Sequence, residues 1–298
     1  MAGKKGRPKK KKYHLKTIDF NTSKKPDWCY GCGDYGIWKS IKKTFVSLNL
    51  KPHEILMVYG VGCSGNCLNF LKTYAFHALH GRALPVATGA KLANHKLNVI
   101  IMGGDGDGTS IGGNHFIHTC RRNINMTYFL CNNKIYGLTK GQASPTSNIG
   151  FKTRSTPLGV RGKPINPVLL ALSAGATFVA RGFAGDIKHL TNIMKKAIKH
   201  RGFSFIDIIQ PCITLNKVNT YDFYREKVYD LHDIKDYDSS DLNGAIRKSM
   251  EKEKIPLGIF YKFEEHLYEE GLKQIERKPL VDHIITDIDV NRLFNSYY

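Results

Sequence analysis

Residues 99–142 read VIIMGGDGDGTSIGGNHFIHTCRRNINMTYFLCNNKIYGLTKGQ, and the reading of the fold turns on them. An apolar run, Val99–Met102, goes straight into glycines that carry Asp105 and Asp107 between them. A helix-like segment follows, and a second apolar run, Met126–Cys131, ends in Asn132 and Asn133. Two short β-rich runs joined by a helical crossover make a parallel βαβ unit. The crossover returns both strand ends to one sheet edge, where open α/β sheets bind ligands. Asp105 and the Asn pair therefore converge there. Gly103, Gly104, Gly106 and Gly108 let the backbone approach a phosphate closely. A carboxylate, a side-chain amide and a backbone carbonyl form a hard oxygen set that suits Mg²⁺, with diphosphate oxygens completing the octahedron. A Gly/Asp turn would explain GDG alone. GDG closing one strand and NN closing the next is more specific.

Outward from this stretch, the chain has 298 residues, 42% of them hydrophobic, enough for a large core. No apolar run approaches the roughly 18 residues that span a membrane. The basic N-terminus lacks the apolar core of a secretory signal, so a cytoplasmic chain is expected. Its seven cysteines are then thiols or metal ligands rather than disulfides. The net charge is +20; residues 1–16 hold eight Lys/Arg and no acid, so taking them away leaves +12. That low-complexity block reads as a disordered, solvated arm. Nothing after it resembles an RNA- or DNA-binding module, so no nucleic-acid partner is expected. The remaining positive charge suits an acidic partner and anionic ligands.

Cys29-Tyr30-Gly31-Cys32 is a C-x-x-C pair, open to zinc, iron–sulfur or thioredoxin-like readings. Cys63 follows the apolar run Ile55–Val61, and Cys212 follows the strand-like run Phe203–Ile209. All four sit at strand ends or beside glycines. Four thiolates suit tetrahedral zinc or a [4Fe–4S] cluster. A zinc ribbon would repeat its C-x-x-C, whereas here the third and fourth cysteines are single and distant. Cys67, Cys120 and Cys131 read as small buried residues.

Gly104-Asp105-Gly106 with Asn132-Asn133, the second Asn 28 positions after Asp105, resembles the thiamine diphosphate signature. With IGGNH at 111–115 and YGLTKGQ at 136–142, residues 26–212 resemble the β subunit of the 2-oxoacid:ferredoxin oxidoreductases. The resemblance implies an α/β fold, a doubly wound and mostly parallel sheet of the pyrophosphate-binding type. It implies Mg²⁺ ligands at Asp105, Asn133 and the Ile135 carbonyl. Thiamine diphosphate contacts fall on Val61, Gly62, Cys63, Ser64, Gly106, Asp107, Gly137 and Leu138. Cys29, Cys32, Cys63 and Cys212 fall on the ligands of one [4Fe–4S] cluster, so a single loop would serve both groups. Lys140 falls on a functional lysine that meets a substrate carboxylate or coenzyme A, and His115 lies where the substrate could be hydrogen-bonded.

The activity implied is coenzyme A-dependent oxidative decarboxylation of a 2-oxoacid, 2-oxoglutarate or pyruvate, with electrons passed to ferredoxin. An α subunit is an obligate partner, because the family takes its cofactor-activating glutamate from that chain. A non-redox thiamine diphosphate decarboxylase half-enzyme is the alternative; the four placed cysteines argue against it.

The remaining elements are expected as follows. A helix with a solvated basic face covers 37–50. Residues 66–94 form two helices split at Gly81 and Pro85, with His77 and His80 as structural or cofactor-shell groups. Residues 143–167 form an irregular surface loop, after which helices and strands alternate to Ile209 and complete about six parallel strands. The domain reading is a basic disordered tail at 1–20, the cofactor and cluster domain at 21–215, and a smaller α-rich extension at 216–298. That extension holds helices at 221–229, 241–252 and 264–276 and a strand near 255–261.

Overall fold

The computed structural model describes residues 14–283 and 289–297. Strands form where the sequence is mostly apolar: β1 (Ile55–Tyr59), β3 (Asn98–Gly104), β4 (Thr127–Asn132), β7 (Phe178–Phe183) and β8 (Ser204–Ile209). Every residue of β4, β7 and β8 is buried, as expected of parallel strands covered on both faces. With β2 (Tyr74–His77) at the edge, six strands run parallel in the order β2-β1-β3-β4-β8-β7.

Helices cover the two faces. Ile37, Ile41 and Phe45 of α1 (Gly33–Ser47) and Leu190, Ile193 and Met194 of α5 (Ile187–Lys199) pack on one side. On the other side lie α2 (Ala83–Ala93), α3 (Gly113–Arg122), α4 (Pro167–Ser173) and, from the C-terminal part, α7 (Leu242–Ser249). Local chemistry sets their ends. Asp186 and Asn166 accept the backbone N–H groups of His189 and Leu169 as N-caps. Asn123, left-handed at φ 50°, closes α3. A minor hairpin, β5 (Ile135–Tyr136) with β6 (Gln142–Ala143), holds the segment after the Asn pair.

Four expectations change. Residues 66–94 hold one α-helix, preceded by a short 3-10 segment at Ser64–Asn69: Tyr74–His77 extend along β1 as an exposed edge strand, and Pro85 sits in the first turn of α2, where a missing N–H costs nothing. The helix read at 37–50 runs from Gly33 to Ser47. Its face is not wholly solvated: Lys42 is buried, bonded to Asn21 Oδ1 at 2.7 Å and lying 3.1 Å above the Trp38 ring centroid. Residues 264–276 hold a single helical turn at Tyr268–Gly271. Finally, β10 (Ile255–Lys262) adds antiparallel to β7 and carries β9 (Val228–Asp230), so the chain beyond 215 extends the main sheet to eight strands. Of the tail read at 1–20, residues 1–13 lie outside the described residues; Thr17–Phe20 form a helical turn whose Phe20 packs on Phe45.

α6 (Tyr221–Lys227) and α8 (Val290–Asn295) complete the elements. Among the described residues no helix is long and apolar enough to cross a membrane.

Candidate cofactor and thiolate site

The C-terminal ends of β1, β3 and β4 deliver their loops to one rim. Asp105 follows β3 and is almost fully buried. Ser144 Oγ donates to its Oδ2 at 2.6 Å, and Thr146 Oγ1 donates to the same oxygen. Burial pushes the Asp105 carboxyl upward, and these two hydroxyls with the Asn133 backbone hold it back. Asn133 follows β4, and its Oδ1 accepts the Ile135 backbone N–H at 3.0 Å. Lys134 between them is left-handed at φ 58°, which turns the chain sharply there. One cavity is lined by Asp105, Asn133 and Ile135 together with Val61, Gly62, Cys63, Ser64, Gly106, Asp107, Gly137 and Leu138. Every residue read from sequence as a Mg²⁺ or thiamine diphosphate contact is therefore on this one wall.

Asp107 ties that wall together. Its Oδ1 accepts the backbone N–H of Val61 at 3.0 Å and of Gly81 at 2.8 Å, and His80 Nδ1 lies 3.3 Å away. Burial again raises the carboxyl, against those N–H groups and His80. Gly106 is required on steric grounds, because a Cβ there would run into the Tyr136 ring, whose hydroxyl donates to the Gly106 carbonyl at 3.0 Å.

A neighbouring cavity of about 190 Å³ is lined by Cys29, Cys32, Cys63 and Cys212, with Lys140 beside them. Cys63, Asn133, Gly137 and Leu138 line both cavities. Cys67, Cys120 and Cys131 are buried and do not line the four-cysteine cavity; Cys131 lines the other cavity beside Cys63. Among the described residues no three His, Cys, Asp or Glu side chains close on a point as a single ion would require. The four cysteines share the lining of one cavity instead. Burial, then the charge of Asp34, pushes the Cys63 thiol up to about 12, and Cys32 is raised for the same two reasons. Asp34 is itself fully buried, its carboxyl pushed up to about 7, and its Oδ2 accepts from Cys32 Sγ at 3.5 Å. Gln210 Nε2 donates to Cys32 Sγ at 3.7 Å, and Trp28 Nε1 donates to the Cys63 carbonyl at 2.8 Å.

His115 is not brought to this rim. It lies in the first turn of α3, half-exposed, and lines neither cavity; burial and the charges of Arg82, Arg122 and His118 lower its pKa. Sequence reading missed Ser144, Thr146, Asp34, Gln210 and Trp28. The run Ser144-Pro145-Thr146-Ser147 looked like loop composition, and only its three hydroxyls in four residues hinted at an acceptor to be served.

The comparisons with known proteins agree on the family. A family described as "Thiamine pyrophosphate enzyme, C-terminal TPP binding domain" matches residues 60–208, and the family of the C-terminal part of the pyruvate ferredoxin oxidoreductase β chain matches 212–277. The chain is 44% identical over 276 residues to the 2-oxoacid:ferredoxin oxidoreductase subunit beta of Saccharolobus solfataricus, covering 87% of this chain and 90% of that one. It is 36% identical over 259 residues to the 2-oxoglutarate synthase subunit KorB of Methanocaldococcus jannaschii, covering 84% and 93%. A solved 2-oxoglutarate:ferredoxin oxidoreductase from Magnetococcus marinus, with 2-oxoglutarate, coenzyme A and succinyl-CoA bound, superposes with a TM-score of 0.88 at 39% identity, over 97% of this chain and 98% of that one. The chain belongs to the β subunits of the 2-oxoacid:ferredoxin oxidoreductases, with a thiamine diphosphate-binding domain at its centre.

Proposed function

We propose that this chain, paired with an α subunit, carries out coenzyme A-dependent oxidative decarboxylation of a 2-oxoacid, 2-oxoglutarate foremost, and passes the electrons to ferredoxin through one [4Fe–4S] cluster. The observation that carries the reading is the shared wall: Cys63, Asn133, Gly137 and Leu138 face both the diphosphate cavity and the four-cysteine cavity. A redox centre beside the cofactor is what separates this chemistry from a non-redox decarboxylase.

The residues fit both groups. Asp105 receives its two hydroxyl donors on Oδ2, and Oδ1 takes neither. Asn133 Oδ1 uses one lone pair on Ile135 and keeps another. With the Ile135 carbonyl these supply three oxygens for Mg²⁺, leaving positions for diphosphate oxygens and water. Four cysteine sulfurs around one cavity match the ligand count of a [4Fe–4S] cluster.

Thiamine diphosphate, when bound, supplies the carbanion that adds to the 2-oxo carbon and takes up electrons as CO₂ leaves. This chain's part is positional. Asp105 and Asn133 orient the diphosphate end. Leu138 and Gly137 form the apolar partition between cofactor and thiolates. Lys140, lining the cysteine cavity at φ 77°, offers a cation to a carboxylate or to coenzyme A. Ferredoxins are commonly acidic, and the excess positive charge of the chain favours docking one.

The test is a co-purified complex with its α subunit, assayed with 2-oxoglutarate, pyruvate and branched 2-oxoacids. Turnover that requires coenzyme A and reduces ferredoxin, with visible absorbance bleached by dithionite, supports the reading. CO₂ release without an electron acceptor would replace it with the lyase alternative.

A further inference from the structure

A third cavity, about 460 Å³, opens behind the metal loop at the C-terminal ends of β4, β7 and β8. That size is within the range of small-molecule sites. None of the cofactor or cysteine ligands lines it, yet its floor is polar and charged. Asn132, Lys134, Arg181 and Asp207 form the base, and Lys227 and Lys252 stand at the rim. Four cationic side chains face two carboxylates, Asp207 and Glu251. Glu251 is already paired with Lys248 at 2.7 Å. Asp207 takes Arg181 Nε and Asn132 Nδ2, each at 2.9 Å.

The donors are under-used. Among the described residues, the only side-chain hydrogen bond of Arg181 is that Nε–H. Lys134 places one ammonium N–H on Asn148 Oδ1 at 2.9 Å, from three available. Asn219 is 3% exposed, lines the cavity, and its amide nitrogen has no partner. Buried donors of this kind are normally satisfied. A guanidinium with free terminal N–H groups, a lysine and an unpaired amide match a multi-oxygen anion, and the surplus of two positive charges matches a dianion.

We propose that this cavity binds the dianionic phosphoryl group of a small phosphate monoester, separately from the diphosphate seat. Its occupant would touch the metal loop from the far face. Lys134 is the residue between Asn133 and Ile135. A line of close polar contacts also runs from Arg181 through Asp207 and Asn132 to Thr146, whose hydroxyl serves Asp105.

The test is calorimetric titration of the purified complex with inorganic phosphate, and in parallel with malonate. Thiamine diphosphate, Mg²⁺ and 2-oxoglutarate are kept saturating so that the sites of the proposed function are filled. One saturable phosphate site per chain is expected. It should weaken at least tenfold in Lys227→Glu at the rim and in Lys134→Met at the base. Absence of saturable phosphate binding overturns the proposal, as does malonate binding without phosphate. Phosphate affinity unchanged in Lys227→Glu also overturns it; that partly exposed position keeps the test decisive if the buried variant fails to fold.

Discussion

Gln210 donates its side-chain N–H to Cys32 Sγ at 3.7 Å, across 178 positions of chain. The residue stands at the end of β8, immediately before Pro211-Cys212, so one strand terminus delivers both a sulfur and a donor to another sulfur. A hydrogen bond to a cluster sulfur stabilises the more electron-rich state and raises the reduction potential. If the proposed [4Fe–4S] cluster is bound, Gln210→Leu should leave its four cysteines in place and shift its midpoint to more negative values. A redox titration followed by electron paramagnetic resonance reads the shift directly. An unchanged midpoint would mean that the contact does not reach the cluster.

Cys63 and Cys67 are four residues apart and make a sharp control for the ligand set. Cys63 lines the cysteine cavity, whereas Cys67 is fully buried against Tyr59 in the core. Serine at 29, 32, 63 or 212 should strip iron from the purified complex. Serine at 67 should leave iron content at the level of the unaltered protein. Iron and sulfide analysis decides between them. Loss of iron in Cys67→Ser with retention in Cys63→Ser would reassign the third ligand.

Thr146 serves Asp105 and also lies 3.1 Å from Asn132 Oδ1, so its single hydroxyl proton is contested by two acceptors. An anionic Asp105 wins that proton. Removing a hydrogen bond to a charged group costs about 1.5–3 kcal/mol. Thr146→Val should then weaken Mg²⁺-dependent thiamine diphosphate binding by roughly tenfold or more, while Ser144 still holds the carboxylate. Titration of the metal-loaded complex with thiamine diphosphate measures it. An unaltered Kd would show that Ser144 alone orients Asp105.

The rim of the site was legible because it is built from strand ends. Continuous apolar runs that stop in Gly-Asp-Gly or Asn-Asn mark both the strand and the place where it stops, and parallel topology brings the stops together. The supporting groups were not legible for the opposite reason. Ser144 and Thr146 lie in a segment without periodicity, and only the tertiary fold turns their hydroxyls onto Asp105. Asp207 sits inside the apolar run of β8, and Arg181 inside β7. Their direct pairing in the register explains two buried charges that no pattern in either strand announces. The edge strand Tyr74–His77 escaped because all four of its residues are exposed, so it lacks the buried run by which the other strands declare themselves. In the C-terminal segment the strand near 255–261 was legible but its place in the main sheet was not: β10 enters antiparallel, outside the βαβ rhythm on which the reading relied.

His200 ends α5 and is buried against β7, its Nε2 at 2.9 Å from Thr177 Oγ1. Thr177 donates its own proton to Asn123 Oδ1 at 2.7 Å, which leaves its oxygen to accept, so Nε2 carries the imidazole hydrogen. Nδ1 is buried without a partner. Protonating it would place a cation in the core, and burial, with help from Lys262, accordingly pushes the pKa down to about 4. In the unfolded chain the same group titrates near about 6.5. Between those values the unfolded state binds the extra proton, so stability must rise with pH across this window and fall as pH drops from 6.5 towards 4. The full difference is about 3 kcal/mol at the acid end. His200→Gln keeps a donor to Thr177 and removes the titration. Urea unfolding of both proteins at pH 7 and pH 4.5 should show a smaller acid loss in the variant, whatever its stability at pH 7. Parallel losses in the two proteins would place the acid sensitivity on other groups.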